Sequence, residues 1–311
     1  MSFGFKQLAS VAIAALLIGV VAVSGAKGWL APEDTTITEV APGVFFRKAQ
    51  TAPTFTGCNQ GWIEFKDFVL VIDANFPGQV EHLVKAVREK TQKPIKFVFD
   101  THHHGDHADG NVHFVKLGAV AIANERSRPL FETTGLDGFE GSKKTRAAEY
   151  SELKYEMPSL YFDRKFVFDD GTQRVELMYL GHGHTAGDAV AWLPRHGILF
   201  TGDACVNGAF NYTGESNTES WISVLTQMAD LPVKKVCPGH GEMGDKTVIE
   251  SQRRYFVELR AAIGKLIDAG KSLDQIKSEL DLPFYQAWTG VDVKKQAENI
   301  EHVYGELKKK S

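Results

Sequence analysis

Cysteine is nearly missing from this chain of 311 residues: Cys58, Cys205 and Cys237 are all it has. Three thiols cannot build a disulfide framework and leave at least one sulfur free, so a small stapled scaffold is excluded. A basic surplus is missing too. Lys and Arg number 35 against 39 Asp and Glu, for a formal charge of −4, and the one solid basic run, Lys308 to Lys310, lies at the chain end. Nucleic-acid binders normally show a basic excess or stripe, so no nucleic-acid partner is expected. Internal repeats and low-complexity stretches are also lacking. The remaining composition, 43% hydrophobic and 24% charged, excludes disordered, collagen-like and fibrous classes, and the length allows one large core.

Long apolar runs are confined to the N-terminus. Lys6 precedes a mostly apolar stretch of 16 residues from Leu8 to Val23, and Ser24-Gly25-Ala26 supplies the small residues of a cleavage site. This layout predicts a secretory signal peptide over residues 1–26. The competing reading is a membrane anchor that stays attached. At 1.5 Å per residue the stretch reaches about 24 Å, short of the roughly 30 Å hydrocarbon core, which favours cleavage. The mature protein is therefore expected to be secreted or periplasmic, with no membrane contact after signal cleavage.

Downstream, short β-branched and aromatic runs alternate with helical patterns. Val44–Lys48, Trp62–Phe65 and Phe68–Ile72, broken by Pro42-Gly43, Gly57 to Gly61 and Lys66-Asp67, predict an antiparallel start. Val80, Leu83, Val84 and Val87 predict a helix that ends before Pro94. Further strands are expected at Ile95–Phe99, Ala119–Ala123, Val175–Leu180, Ala189–Leu193, Ile198–Thr201 and Lys234–Cys237, with a helix over Trp221–Ala229. After His240 the pattern is helical throughout. Ser272-x-x-Gln275 resembles a capping box, and Asp292 is placed to cap the last helix. The whole predicts a layered α/β (α+β) domain with two sheet-forming halves.

Seven of the 11 histidines fall in three short segments: His102, His103, His104 and His107; His182 and His184; and His240. Extended backbone alternates sides, so His102 and His104 can face the same way. Gly105 then allows a turn that brings Asp106 and His107 beside them, and a helix is not expected there. Gly181-His182-Gly183-His184-Thr185, Thr201-Gly202-Asp203 and Pro238-Gly239-His240-Gly241 each put His or Asp just after a strand. Loops at one sheet edge can converge, so these segments predict a shared metal site. His103 should point to the opposite face, into packing or solvent. Cys205 and Cys237 sit close in sequence to Asp203 and His240, although buried inert thiols are the better default.

His102-x-His104-x-Asp106-His107, then Gly-His184-Thr, Thr-Gly-Asp203 and Pro-Gly-His240-Gly resemble the metallo-β-lactamase superfamily, in order, over about Thr36 to Glu250. The resemblance implies a four-layer αββα sandwich, with a hydrolase domain over 32–250 and a C-terminal helical extension over 251–311. It also implies a dinuclear site of two Zn2+ ions, with iron or manganese as the less favoured metals. His102, His104 and His184 would hold the first ion, Asp106, His107 and His240 the second, and Asp203 would bridge them. A hydroxide shared by the ions would be the nucleophile, and Asp106 the catalytic carboxylate that orients it. Asp73, Asp188 and His182 would support the ligands from behind or from the pocket mouth.

The same resemblance leaves the small-molecule substrate open among esters, lactones, thioesters and β-lactams. The β-lactamases generally carry Cys or Ser where Asp203 stands, whereas Asp resembles glyoxalase II-type thioesterases and lactonases. The residues that bind glutathione in glyoxalase II have no recognisable counterpart. A mononuclear iron persulfide dioxygenase-like oxidoreductase and a non-catalytic metal-binding protein are the alternatives.

Overall fold

A computed structural model describes residues 36–49, 51–52, 55–208, 212–286, 288 and 292–309. The signal segment expected over residues 1–26 lies outside the described residues.

The chain opens with β1 (Ile37–Ala41), β2 (Val44–Arg47), the short pair β3 (Thr51–Ala52) and β4 (Phe55–Thr56), then β5 (Gln60–Glu64) and β6 (Val69–Ile72). As expected from the turn residues, β2, β5 and β6 pair antiparallel, and β1, a strand the sequence did not suggest, adds antiparallel to β2. Helix α1 (Pro77–Lys90) starts with a proline in its first turn, where no amide hydrogen bond is lost, and buries Val80, Leu83 and Val87. It returns the chain to β7 (Ile95–Phe99), which runs parallel to β6. Helices α2 (Gly105–Ala108) and α3 (Asn111–Lys116) lead to β8 (Val120–Asn124). A helical excursion follows, with α4 (Arg128–Leu130), α5 (Leu136–Thr145) and α6 (Ala147–Tyr150), before β9 (Leu160–Phe162) closes a seven-stranded sheet.

The second sheet has five strands in sequence order: β10 (Lys165–Asp169), β11 (Arg174–Tyr179), β12 (Ala189–Leu193), β13 (Ile198–Gly202) and β14 (Lys235–Pro238). Helix α7 (Thr218–Asp230) makes the crossover that sets β14 parallel to β13.

Side-chain alternation assigns the layers. In β6, Leu70 and Ile72 face the second sheet's Leu177, Ala191 and Phe200, while Val69 and Val71 pack with Leu83 and Val87 of α1. In β12 and β13, Ala191 and Phe200 point inward, and Trp192 and Leu199 point outward to a cluster with Trp221 and Phe256. A period of two thus gives each sheet one face toward its partner and one toward helices, which is the αββα sandwich. The outer cluster also takes in the C-terminal helices α8 (Thr247–Asp268), α9 (Leu273–Glu279), α10 (Pro283–Gln286) and α11 (Val293–Lys308). The capping box of Ser272 and Gln275 is formed, and Asp292 accepts from the amides of Lys294 and Lys295.

Strands β6 and β7 of one sheet end at the edge where β11, β13 and β14 of the other also end. Each of the His- and Asp-bearing segments follows one of these strands.

Candidate metal centre

The loop after β7 carries most of the site. His104 has extended backbone and α2 starts at Gly105, so Asp106 and His107 lie on one helical turn. No helix was expected there. Glycine costs little at a first helical position, and a Cβ on Gly105 would lie 2.6 Å from Asp109 Oδ2, so the turn is built around the missing side chain.

His102 Nε2 and His184 Nε2 each lie 3.0 Å from His104 Nδ1. The outward nitrogens explain why these three atoms face one another. His104 Nε2 donates to Glu215 Oε2 at 2.8 Å and His184 Nδ1 to the Tyr212 carbonyl at 3.0 Å. Thr101 Oγ1 lies 3.2 Å from both Asp73 Oδ2 and His102 Nδ1, so it donates to the carboxylate and accepts from the imidazole. Each ring therefore spends its proton on an outer oxygen and turns a lone pair inward. Burial holds His102 and His184 far below the ordinary histidine range, His184 to about 3, with help from neighbouring histidines. Three converging lone pairs repel one another, and a cation relieves that repulsion.

The second set is more acidic. His240 Nε2 is 3.1 Å from Asp106 Oδ2, and His107 Nε2 is 3.6 Å from the same oxygen. His107 Nδ1 donates to Asp73 Oδ2 at 3.0 Å, which aims Nε2 at the centre. Burial works against charge on His107 and His240. On His107 the influence of Cys58, Asp106, Asp203 and Asp73 prevails, and on His240 that of Asp203 and Asp106, so both are raised, His240 to about 9. Burial likewise opposes ionisation of Asp106 and Asp203, yet His107 and His240 draw both below the usual carboxylate range. This half of the site has a standing demand for positive charge.

Asp203 touches both sets. Its Oδ2 is 3.4 Å from His240 Nε2 and 3.8 Å from His184 Nε2, and its Oδ1 is 3.3 Å from His107 Nε2. His107 Nε2 and Asp203 Oδ1 are buried without a hydrogen bond of acceptable geometry. Orphaned buried donors and acceptors are costly, and these two, 3.3 Å apart, have the spacing of neighbouring ligands on one metal ion. His102, His107 and Asp203 also form a triad linking the two sets.

Backbone geometry brings the loops this close. Gly202 has φ +49°, and a Cβ there would sit 2.2 Å from Thr101 Oγ1; one on Gly239 would sit 2.1 Å from Asp203 Oδ1. Asp73 and Asn75 adopt φ of 62° and 60°, a left-handed conformation that Asp and Asn tolerate better than most residues. Their side chains hold it: Asp73 Oδ1 accepts from the Thr101 amide at 2.8 Å, and Asn75 Nδ2 donates to the Cys58 carbonyl at 2.7 Å.

Among the other expected residues, Asp188 accepts from the Thr185 amide at 3.0 Å and from Thr185 Oγ1 at 2.6 Å, locking the turn after His184. Burial raises its pKa to about 7. His182 Nε2 donates to the Glu215 carbonyl at 2.8 Å and stands outside the convergent atoms. His103 is buried, lies 2.9 Å from Thr134 Oγ1 and packs near Phe131.

Sequence reasoning passed over Glu215, Tyr212, Asn59 and Cys58. Glu215 meets His103 and His104, whose hydrogen bonds pull its carboxyl well below the ordinary range. Asn59 Nδ2 donates to the carbonyls of Pro238 and Gly241, both at 2.9 Å, and so fastens the His240 loop to the first sheet. Cys58, pushed up to about 12 by burial, groups with Asp73 and His107, whereas only Cys205 and Cys237 had a sequence neighbour to suggest proximity. No spacing in the sequence marks any of these contacts.

Two sheets enclosed by helices, with imidazole and carboxylate clusters meeting at one edge, define a metal-binding αββα protein. The model of the metallo-beta-lactamase superfamily matches residues 53–240, and the chain belongs to that superfamily. Metallo-beta-lactamase type 2 of Bacillus sp. (strain 170) is 25% identical over 188 residues, covering 58% of this chain and 65% of that protein. Metallo-beta-lactamase IND-1 of Chryseobacterium indologenes is 24% identical over 206 residues, covering 64% of this chain and 76% of the relative. The chain thus spans about two thirds of the length of the Bacillus relative. Among solved structures, a metallo-beta-lactamase from Pontibacter korlensis superposes with a TM-score of 0.60 at 21% identity, covering 71% of this chain and 98% of that one. At that identity the superposition speaks for the fold. Among the described residues, no helix is long and apolar enough to cross a membrane.

Proposed function

We propose that this protein is an exported, zinc-dependent hydrolase with a dinuclear site, which cleaves an ester, lactone, thioester or β-lactam carbonyl. The observation that carries this reading is Asp203, whose two oxygens reach His184 on one side and His107 and His240 on the other. His102, His104 and His184 would hold one ion, Asp106, His107 and His240 the other, and Asp203 both. Nitrogen and carboxylate donors without a thiolate suit zinc. Two such ions supply Lewis acidity toward a carbonyl oxygen and bring the pKa of water near neutrality.

The chain's own residues do the rest. Asp73, Thr101, Tyr212 and Glu215 each accept from the outer nitrogen of one imidazole and aim the ring's other nitrogen at the centre. Asp106, half-buried beside His240, is the carboxylate placed to orient the attacking water and to pass its proton to the leaving group. Export rests on the N-terminal segment, and the catalytic unit is assigned to residues 32–250, with 251–311 as a helical extension.

The relatives' names point to β-lactams. Asp203 points elsewhere, because a carboxylate ligand there would damp the Lewis acidity of bound metal and fill space that a ring carboxylate would use. Esters, lactones and thioesters, with readier leaving groups, are the favoured substrates. Comparison of kcat/KM for nitrocefin with a panel of one ester, one lactone and one thioester tests this. Turnover of a member of the panel above nitrocefin is expected. A nitrocefin preference overturns the substrate order, and no hydrolysis of any of them by the zinc-loaded chain overturns the reading.

A further inference from the structure

The superfamily match ends at His240, yet α11, more than fifty residues later, reaches back to the site. Asn299, His302 and Glu306 follow an i, i+3, i+7 pattern and share one face of α11. Each of them bonds to residues 213–218. Asn299 Oδ1 accepts from Thr213 Oγ1 at 2.9 Å, and His302 Nε2 donates to the Ser216 carbonyl at 3.1 Å. Glu306 Oε1 accepts from the Thr218 amide at 2.8 Å, and its Oε2 accepts from Thr218 Oγ1 and from Arg260 Nη1 of α8, the latter at 2.6 Å. The apolar face of the same helix, with Ile300 and Val303, packs into the outer core.

The segment held this way is the one that steers two imidazoles. The Tyr212 carbonyl accepts from His184 Nδ1, and Glu215 Oε2 accepts from His104 Nε2. Thr213 and Ser216, the residues on either side of Glu215 that α11 grips, are themselves buried and are tied to each other by Ser216 Oγ donating to the Thr213 carbonyl at 2.9 Å. Of this polar stripe Asn299 is buried and His302 and Glu306 are partly buried, where polar groups are costly unless paired. Asn299 also meets Tyr255, and Glu306 also meets Arg260 and His302, but the bonds to residues 213–218 form only with that segment in this conformation. The helix therefore selects one loop conformation, and the loop selects one tautomer for each of two rings.

We propose that α11 braces the metal centre: Asn299, His302 and Glu306 are positioning residues that act through Tyr212 and Glu215 to fix His184 and His104. The proposal rests on the reading that these two rings and His102 hold an ion. It makes the C-terminal helices part of the site's machinery rather than an appendage to it.

The test uses the full chain and two readouts. Long-range 1H–15N spectra of the metal-free protein report the tautomers, and chelator competition reports affinity for the first equivalent of Zn2+. Wild type should carry the proton on Nε2 of His104 and on Nδ1 of His184. Glu306→Ala should mix both tautomers and weaken zinc binding about tenfold, the lower end of the range for losing a group behind a metal ligand. Glu306→Gln keeps one acceptor for the Thr218 amide and offers an NH2 that can donate to Thr218 Oγ1, and it should restore most of the loss. Ile276→Ala in α9 loosens the same core without removing a bond to residues 212–218; it should lower Tm and leave both readouts unchanged. If Glu306→Ala does not fold, His302→Ala, which removes the bond to Ser216, reads the same two quantities. Unchanged tautomers and affinity in both variants, or an equal loss in Ile276→Ala at matched Tm, overturn the brace. A wild type with fixed tautomers that are lost in Glu306→Ala, but with no zinc affinity, supports the brace and overturns the dinuclear reading.

Discussion

Replacing Asp73 by Asn isolates what one buried carboxylate contributes to the centre. Asp73 is 2% exposed, with φ 62°, a conformation that Asn adopts nearly as well, so the backbone is not strained by the change. The native carboxylate accepts three hydrogen bonds, from the Thr101 amide at 2.8 Å, Thr101 Oγ1 at 3.2 Å and His107 Nδ1 at 3.0 Å. An amide keeps one oxygen for the Thr101 amide and places an NH2 group opposite His107 Nδ1. Two donors then face each other. Moving the imidazole proton to Nε2 relieves the conflict, but that is the nitrogen meant to hold an ion. A hydrogen bond to a charged group contributes about 1.5–3 kcal/mol, which corresponds to roughly ten- to a hundredfold in metal affinity. Titration of metal-free protein with Zn2+ against a chromophoric chelator should show the second equivalent weakened by about that factor and the first little changed. Equal affinity of both equivalents in wild type and Asp73→Asn, or an equal loss at both, refutes the argument.

Asp203→Ala should cut bound zinc from two equivalents to one while far-ultraviolet circular dichroism stays unchanged, whereas His182→Ala, whose ring bonds to the Glu215 carbonyl outside the convergent atoms, should keep two; elemental analysis separates them. Trp221→Ala removes a buried indole that packs on Phe256 and donates to the Ala204 carbonyl at 2.8 Å, and thermal or urea unfolding should show a loss of about 3–5 kcal/mol. Glu306 has its pKa lowered from 4.5 to about 2, because hydrogen bonds from His302 and Thr218 overcome the opposing effect of burial. A lowered folded-state pKa gives stability that is whole above about 4.5 and is lost as pH falls toward about 2. Glu306→Gln should therefore cost roughly 1–2 kcal/mol at neutral pH, allowing for partial solvent screening, and flatten the acid limb of the stability profile measured by urea unfolding.

Local patterns were legible where one physical signal dominated. The apolar runs Ile95–Phe99 and Ala189–Leu193 became strands with those bounds, and Ser272 with Gln275 formed the capping box that its spacing suggested. The His and Asp segments could be read because each follows a strand, and strand ends gather at one sheet edge. The turn Gly105–Ala108 was not legible as a helix, since glycine's low propensity hides a position built around Asp109. The helices between Arg128 and Tyr150 were also missed: their buried residues, such as Phe131, Phe139 and Tyr150, are too widely spaced among charged and glycine positions to give a periodic stripe. Glu215 and His302 each looked ordinary, because their partners lie 111 and 86 residues away in sequence and only the folded chain supplies them.

Metal stoichiometry measured beside activity addresses the central claim most directly. The chain should be stripped exhaustively with a chelator, verified by elemental analysis, and retitrated with Zn2+ while hydrolysis of the best substrate in the ester, lactone, thioester and nitrocefin panel is followed. The account predicts no turnover in the stripped protein, recovery with added zinc and saturation at two equivalents per chain. Full turnover by verified metal-free protein would contradict it.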